Sequence, residues 1–174
     1  MIKIKSRLLR AALAAGFLLR IRHFRGRGIH SPFVYYLVRK ALMKRRVIGG
    51  DRELYKKLTD LPLPKKRAIQ LQNVQEYCRL PEAEIITEYR EGMLFDPQKF
   101  YLTHPKLNID ELCLAVKGIE DVKGSVAVLS PHYNRARFVY CRRMCKRGEF
   151  LSIDNRRYIL FLFNNRVPKQ HYRL

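Results

Sequence analysis

The sequence predicts an α/β fold whose sheet closes on an antiparallel hairpin, and three features of its last quarter predict it. The run Val126 to Leu129 is apolar throughout and has the length of a buried strand. After it, Tyr133, Ala136, Val139, Tyr140 and Met144 recur at helical spacing, an apolar stripe that leaves Arg135, Arg142, Arg143 and Lys146 on the outer side. Phe150 to Ile153 and Arg157 to Phe163 then flank Asp154-Asn155, residues that tolerate the left-handed backbone of a hairpin turn. Strand, helix and hairpin in that order belong at the closing edge of a sheet with helices packed on it.

Residues 3 to 25 predict a basic helix around the apolar stretch Ala11 to Leu19. At 1.5 Å per residue that stretch reaches only about 13 Å, too short to cross a bilayer. Arg20, Arg22 and Arg25 follow it and Arg10 intrudes, the wrong charge order for a secretory signal, so a cytoplasmic protein is expected. Laid flat, the same helix would turn Leu8, Leu9, Ala12, Leu13, Phe17 and Leu19 to lipid and Lys3, Arg7, Arg10 and Arg20 to headgroups. A membrane-peripheral position therefore stands beside simple packing on the protein's own domain.

In Arg25-Gly26-Arg27-Gly28-Ile29-His30-Ser31-Pro32, Ser31 suits a helix N-cap and Pro32 the first helical position. The free N–H groups of that helix start, beside Arg25, Arg27, His30 and Ser31, form a candidate anion seat; a well-capped turn is the alternative. Phe33, Val34, Leu37, Val38, Ala41 and Leu42 make the apolar stripe of the helix, and Gly49-Gly50 ends the segment. Further helices are expected at Asp51 to Leu58, at Arg67 to Cys78 with Leu71, Val74 and Cys78 on one side, and at Ile109 to Ile119 with Leu112, Ala115 and Val116 facing the core. The stiff turn Leu61-Pro62-Leu63-Pro64 separates the first two. Strands are expected at Glu84 to Glu88, Lys99 to Thr103 and Ser125 to Leu129, the last stopped by Ser130-Pro131 acting as cap and first position of the final helix. The chain divides into a basic N-terminal helical segment, 1–50, and an α/β domain, 51–174.

Charge is distributed unevenly. Of a net charge of +21, residues 1–50 carry thirteen basic and no acidic residues and 130–174 carry eleven basic against two acidic, whereas 51–129 hold twelve against thirteen. Two cationic ends around a neutral centre favour a polyanion, nucleic acid or an anionic membrane face. Catalytic signatures are sparse. Cys78, Cys113, Cys141 and Cys145 form no Cys-x-x-Cys pair, the five histidines show no metal spacing, and there is no Walker loop or nucleophile elbow. No metal and no catalytic residue is expected; His132 is the lone general-base candidate, with a structural or merely exposed histidine as its alternative.

Gly28-Ile29-His30-Ser31-Pro32-Phe33-Val34-Tyr35, Phe150-Leu151-Ser152-Ile153-Asp154, Leu160-Phe161-Leu162-Phe163 and Lys169-Gln170-His171-Tyr172 together resemble both ends of a bacterial family of class I S-adenosylmethionine-dependent methyltransferases. The resemblance implies a Rossmann-like doubly wound sheet, with a Gly-rich loop after the first strand for the cofactor's methionine end and an acidic residue for its ribose. The centre departs from that pattern. Of a Glu-x-Gly-x-x-x-Gly loop only Glu88 and Gly92 have counterparts, and the Cβ atoms of Tyr89, Arg90 and Glu91 take space the cofactor would need. Leu129 and Ser130 stand where two acidic residues are usual, and Tyr101-Leu102-Thr103-His104 offers no carboxylate to a divalent metal. Between Gly92 and Lys99 the chain is too short for the strand, helix and strand that complete the cofactor pocket.

The expectation is thus a reduced methyltransferase-like domain in which Glu88 and Gly92 are vestigial, no cofactor binds, and the basic ends hold an anionic partner. RNA is favoured over DNA: no helix-turn-helix or zinc-finger pattern occurs, and Tyr35, Tyr36, Tyr133, Tyr140, Tyr158 and Tyr172 lie among arginines and could stack on bases. The alternatives are an active methyltransferase that binds S-adenosylmethionine through a divergent loop, and a membrane-surface protein.

Overall fold

The computed structural model describes residues 29–164 and 167–174, and shows a mixed six-stranded sheet with helices on both faces. Its elements are α1 (Pro32–Leu37), a π turn continuing it (Val38–Leu42), α2 (Glu53–Thr59), α3 (Lys65–Tyr77), β1 (Glu82–Ile86), β2 (Lys99–Thr103), α4 (Ile109–Asp121), β3 (Ser125–Leu129), α5 (Arg135–Arg147), β4 (Leu151–Asp154), β5 (Tyr158–Leu162) and β6 (His171–Arg173). The strand order is β1-β2-β3-β5-β4-β6. β1, β2 and β3 are parallel; β5 lies antiparallel between β3 and β4, and β6 is parallel to β4. The helix expected over residues 3 to 25 lies outside the described residues.

Continuous apolar runs such as Val126–Leu129 follow from this layering, because a central strand buries both of its faces. Alternate residues supply alternate cores. Phe100, Leu102, Ala127, Leu129, Leu160 and Leu162 face α1, α2 and α3, while Tyr101, Val126, Val128, Ile159 and Phe161 face α4 and α5. Residues 29–42 belong to the first of these cores through Ile29, Val34, Leu37, Val38, Ala41 and Leu42, so this described part of the N-terminal segment shares the core of the α/β domain.

Several elements differ from expectation. β1 lies two residues earlier than the strand predicted at Glu84 to Glu88: His104 N–H still donates to the Ile86 carbonyl at 2.9 Å, but the groups that would continue the ladder are engaged elsewhere, the His104 carbonyl with Arg137 and Lys106 N–H with His104 Nδ1. Ser130-Pro131 does not start α5. Ser130 adopts φ 47°, its carbonyl accepts from Tyr133 N at 2.9 Å, and the helix opens at Asn134, whose Oδ1 caps Arg137 N at 2.8 Å. The inward side of α5 is consequently Arg137, Cys141 and Met144, with Tyr140 and Cys145 half-buried; Tyr133, Ala136 and Val139 are exposed, contrary to the predicted stripe. The hairpin pairs as expected, with Arg156 at φ 57° in its turn, but β6 was not anticipated.

The chain from β1 to β2, residues 87–98, contains no helix and is pinned to the sheet by aromatic packing. Phe95 meets Tyr101 edge-on at 5.1 Å, and Asp96 N donates to the Tyr101 hydroxyl at 2.8 Å. Gly118 of α4 makes room for Phe95: a Cβ there would lie 2.6 Å from the ring. Gly118→Ala should gain about 1 kcal/mol of helix propensity yet lose about 1–3 kcal/mol to the clash, a net destabilisation in urea. In a Phe95→Ala background the sign should reverse, and failure to reverse would remove the ring as the cause.

Candidate functional site

In open sheets of this kind ligands are held beyond the carboxyl ends of the parallel strands, here Ile86, Thr103 and Leu129. Past β1, Glu84 to Glu88 and Arg90 to Met93 line an open cleft of about 450 Å³. Glu88 and Gly92 therefore do share one cleft, but neither is built into a cradle. The Glu88 carboxylate is paired with Arg90, both side chains being exposed. Gly92 has φ +80° with open space around its Cβ position, so its glycine serves the turn rather than a close approach. Tyr89, between them, packs against the α4/α5 core.

Beyond β2 and β3 the crevice is occupied by Arg137, which is 1% exposed. Its guanidinium donates to Thr103 Oγ1 at 2.9 Å and to the carbonyls of Leu107 and His104, each at 3.2 Å. It has no carboxylate partner among the described residues, and its Nε has no hydrogen-bond partner. Burial accordingly lowers its pKa. His104 is held below the usual imidazole range by burial, Lys106 and Arg137, while its Nδ1 accepts from Lys106 N at 3.2 Å. This arrangement ties loop 104–107 to α5 and leaves an imidazole that is neutral at pH 7. Sequence patterning missed Arg137 because an inward stripe is drawn from apolar residues alone.

Among the described residues no three His, Cys, Asp or Glu side chains are grouped to hold a metal. Burial pushes the Cys78 and Cys141 thiols up to about 12 and Cys145 to about 11, so all three are protonated, weak nucleophiles at neutral pH. His132 is exposed and stacks on Phe138 at 4.8 Å.

Of the N-terminal anion seat, Arg25 and Arg27 lie outside the described residues; His30 is exposed, and the Ser31 hydroxyl accepts from Val34 N at 3.4 Å. Ser31 is thus the N-cap of α1. Among the described residues Arg39, Lys40, Lys44, Arg45 and Arg46 are exposed cations after α1, and a second cationic surface lies on α5, which contains six basic residues and no acidic one. Arg135, Arg142, Arg143 and Lys146 are exposed and have no carboxylate partner among the described residues, whereas Arg147 is tied to Glu120 and Glu149 at 2.8 and 2.5 Å. Arg142 lies over the Phe138 ring at 5.7 Å, and Tyr133 beside the helix start is 57% exposed. Of the tyrosines expected to stack on bases, Tyr35, Tyr36 and Tyr133 are exposed, but Tyr158 and Tyr172 are buried in the core and Tyr140 is half-buried.

No family model, curated protein or solved structure matches this chain. No described helix is long and apolar enough to cross a membrane.

Proposed function

We propose that this chain is a methyltransferase-like protein whose S-adenosylmethionine site does not function, and that it acts as a basic binding module for an anionic partner, RNA in preference to DNA. The observation that carries the reading is the outer face of α5, where four exposed cations have no ion-pair partner among the described residues and stand beside the exposed Tyr133. Unneutralised charges on one helix face raise the local potential, and each is available to a phosphate. Tyr133, and Tyr36 with Lys40 4.9 Å from its ring centre, offer flat surfaces to unstacked bases, which suits single-stranded RNA better than a duplex groove.

The Rossmann-like, methyltransferase-like part of the reading is supported by the parallel β1-β2-β3 order and by the closing antiparallel hairpin. The residues present do not fit the cofactor. Side chains rather than glycines follow β1, Glu88 is already paired, and Arg137 takes the crevice above β2 and β3. No step of a methyl transfer is derived from them.

Two measurements test this. The melting temperature should stay unchanged on titration with S-adenosylmethionine or its demethylated product; a rise that scales with ligand as mass action requires would establish the enzyme instead. Binding of a short single-stranded RNA should weaken about fiftyfold for a fourfold rise in salt, the effect of roughly four neutralised phosphates on a single strand. A slope near zero would end the polyanion reading.

A further inference from the structure

A small cavity lies where α5 passes the β4 and β6 end of the sheet. It measures about 60 Å³, and six of its lining residues are His132, Arg142, Lys146, Asp154, His171 and Arg173. They come from four separate parts of the chain: the turn before α5, α5 itself, β4 and β6. Arg142 and Lys146 stand one helical turn apart, hence side by side, and like charges so placed destabilise a helix unless something lies between them. Arg173 is brought in by the pairing of β6 with β4, in register with Asp154. Asp154 Oδ1 accepts from Arg156 N at 2.8 Å, and His171 Nδ1 is bonded to Ser152 Oγ at 2.8 Å, so both are oriented by their own strand surroundings. Arg142 is steadied over Phe138, which in turn stacks on His132.

Three permanent cations against one carboxylate around so small a space define an anion site, and its size defines the anion. A cavity that holds a water needs only about 10–15 Å³ by the same kind of measure, so this one takes several oxygen-sized groups and excludes a nucleoside. We propose that it seats a phosphate monoester, the terminal phosphate of an RNA strand or of a small ester. A monoester carries up to two negative charges and three acceptor oxygens with one substituent leading out, whereas a backbone diester would need two exits. The proposal rests on the polyanion reading only for the source of the phosphate.

The test uses the full chain, inorganic phosphate, and two short single-stranded RNAs of one sequence with either a 5′-phosphate or a 5′-hydroxyl. Phosphate should raise the melting temperature above a chloride control of equal ionic strength, and the phosphorylated strand should bind about tenfold tighter, the value of one charge-assisted contact. Arg142→Gln/Arg173→Gln should abolish both effects, and Lys146→Gln should diminish them. Arg135→Gln/Arg143→Gln, the same charge removed outside the cavity, should weaken both strands alike yet preserve the phosphate stabilisation and the ratio between the strands. No phosphate effect beyond chloride, no preference between the strands, or equal losses in the two double variants would overturn the cavity assignment while leaving general RNA binding intact. Cavity-dependent stabilisation by phosphate with neither strand bound would uphold the site for a small ester and refute the RNA reading.

Discussion

Asn73→Ala is expected to destabilise the protein by about 2–3 kcal/mol, because one amide holds three backbone groups in place. Asn73 lies on α3 and is fully buried. Its Oδ1 accepts from Ile48 N at 2.9 Å, and its Nδ2 donates to the carbonyls of Ala41 at 3.3 Å and Arg46 at 3.1 Å. Alanine removes all three bonds. The Ala41 carbonyl keeps a second donor in Lys44 N at 3.3 Å, so the Ile48 N–H bears most of the loss. Against it stands a gain in helix propensity of at most about 0.7 kcal/mol, too small to change the sign. Urea denaturation measures the difference, and a change under about 0.5 kcal/mol, within the range of an ordinary surface substitution, would show that the chain from Ala41 to Ile48 is held by its apolar contacts alone.

Asn73→Asp sharpens the same argument. A carboxylate facing two carbonyls should cost more than alanine at neutral pH, and its folded-state pKa must lie above the usual value of about 3.9. A raised acid pKa makes the variant less stable as pH rises above that value, so its deficit should shrink on acidification towards pH 4. A deficit that grew on acidification would contradict the orientation of the amide. Asn73 is one of a row. Gln70 Nε2 donates to the Leu42 carbonyl at 2.5 Å, and Gln72 Oε1 accepts from Tyr55 N at 2.9 Å. Together these amides satisfy backbone groups where the π turn ends and α2 begins, groups no helix can satisfy for itself.

That row explains where the sequence was readable and where it was not. Lys99–Thr103, Ser125–Leu129 and the hairpin around Asp154-Asn155 announce themselves, because strands buried on both faces need unbroken apolar runs and hairpins need turn residues. The stripe from Phe33 to Leu42 is equally plain. α3 reads as polar, and only Leu71, Val74 and Cys78 suggested an inner side, although Gln70, Gln72, Asn73 and Gln75 are buried as well. Patterning treats an amide as outward, whereas a buried amide is stable wherever it meets backbone partners. Arg137 hides for the same reason, by donating to carbonyls from inside the core. β6 is a three-residue strand, too short for any period, and with it the small basic cavity was invisible. The exposed cations of α5 were legible from helix phase, but the tyrosines beside them were not, since a tyrosine serves core and surface alike.

Neutralising α5 should weaken RNA binding by about two orders of magnitude at 0.1 M salt while leaving the fold as stable as before. The variant is Arg135→Gln/Arg142→Gln/Arg143→Gln/Lys146→Gln, which spares Arg147 and its two carboxylates. Each lost phosphate contact removes about 0.7 from the slope of log K against log salt, so four cations contribute up to about 2.8 and the variant's slope should fall by two or more. Stability argues in the opposite direction. Arg142 with Lys146, and Arg143 with Arg147, are like-charged pairs one turn apart, each worth about 0.2–0.5 kcal/mol of repulsion that glutamine relieves. A binding defect joined to a large loss of stability would therefore mean that the helix itself had been disturbed. Undiminished affinity and an unchanged slope in a well-folded variant would move the polyanion site off α5 and remove the observation on which the functional reading stands.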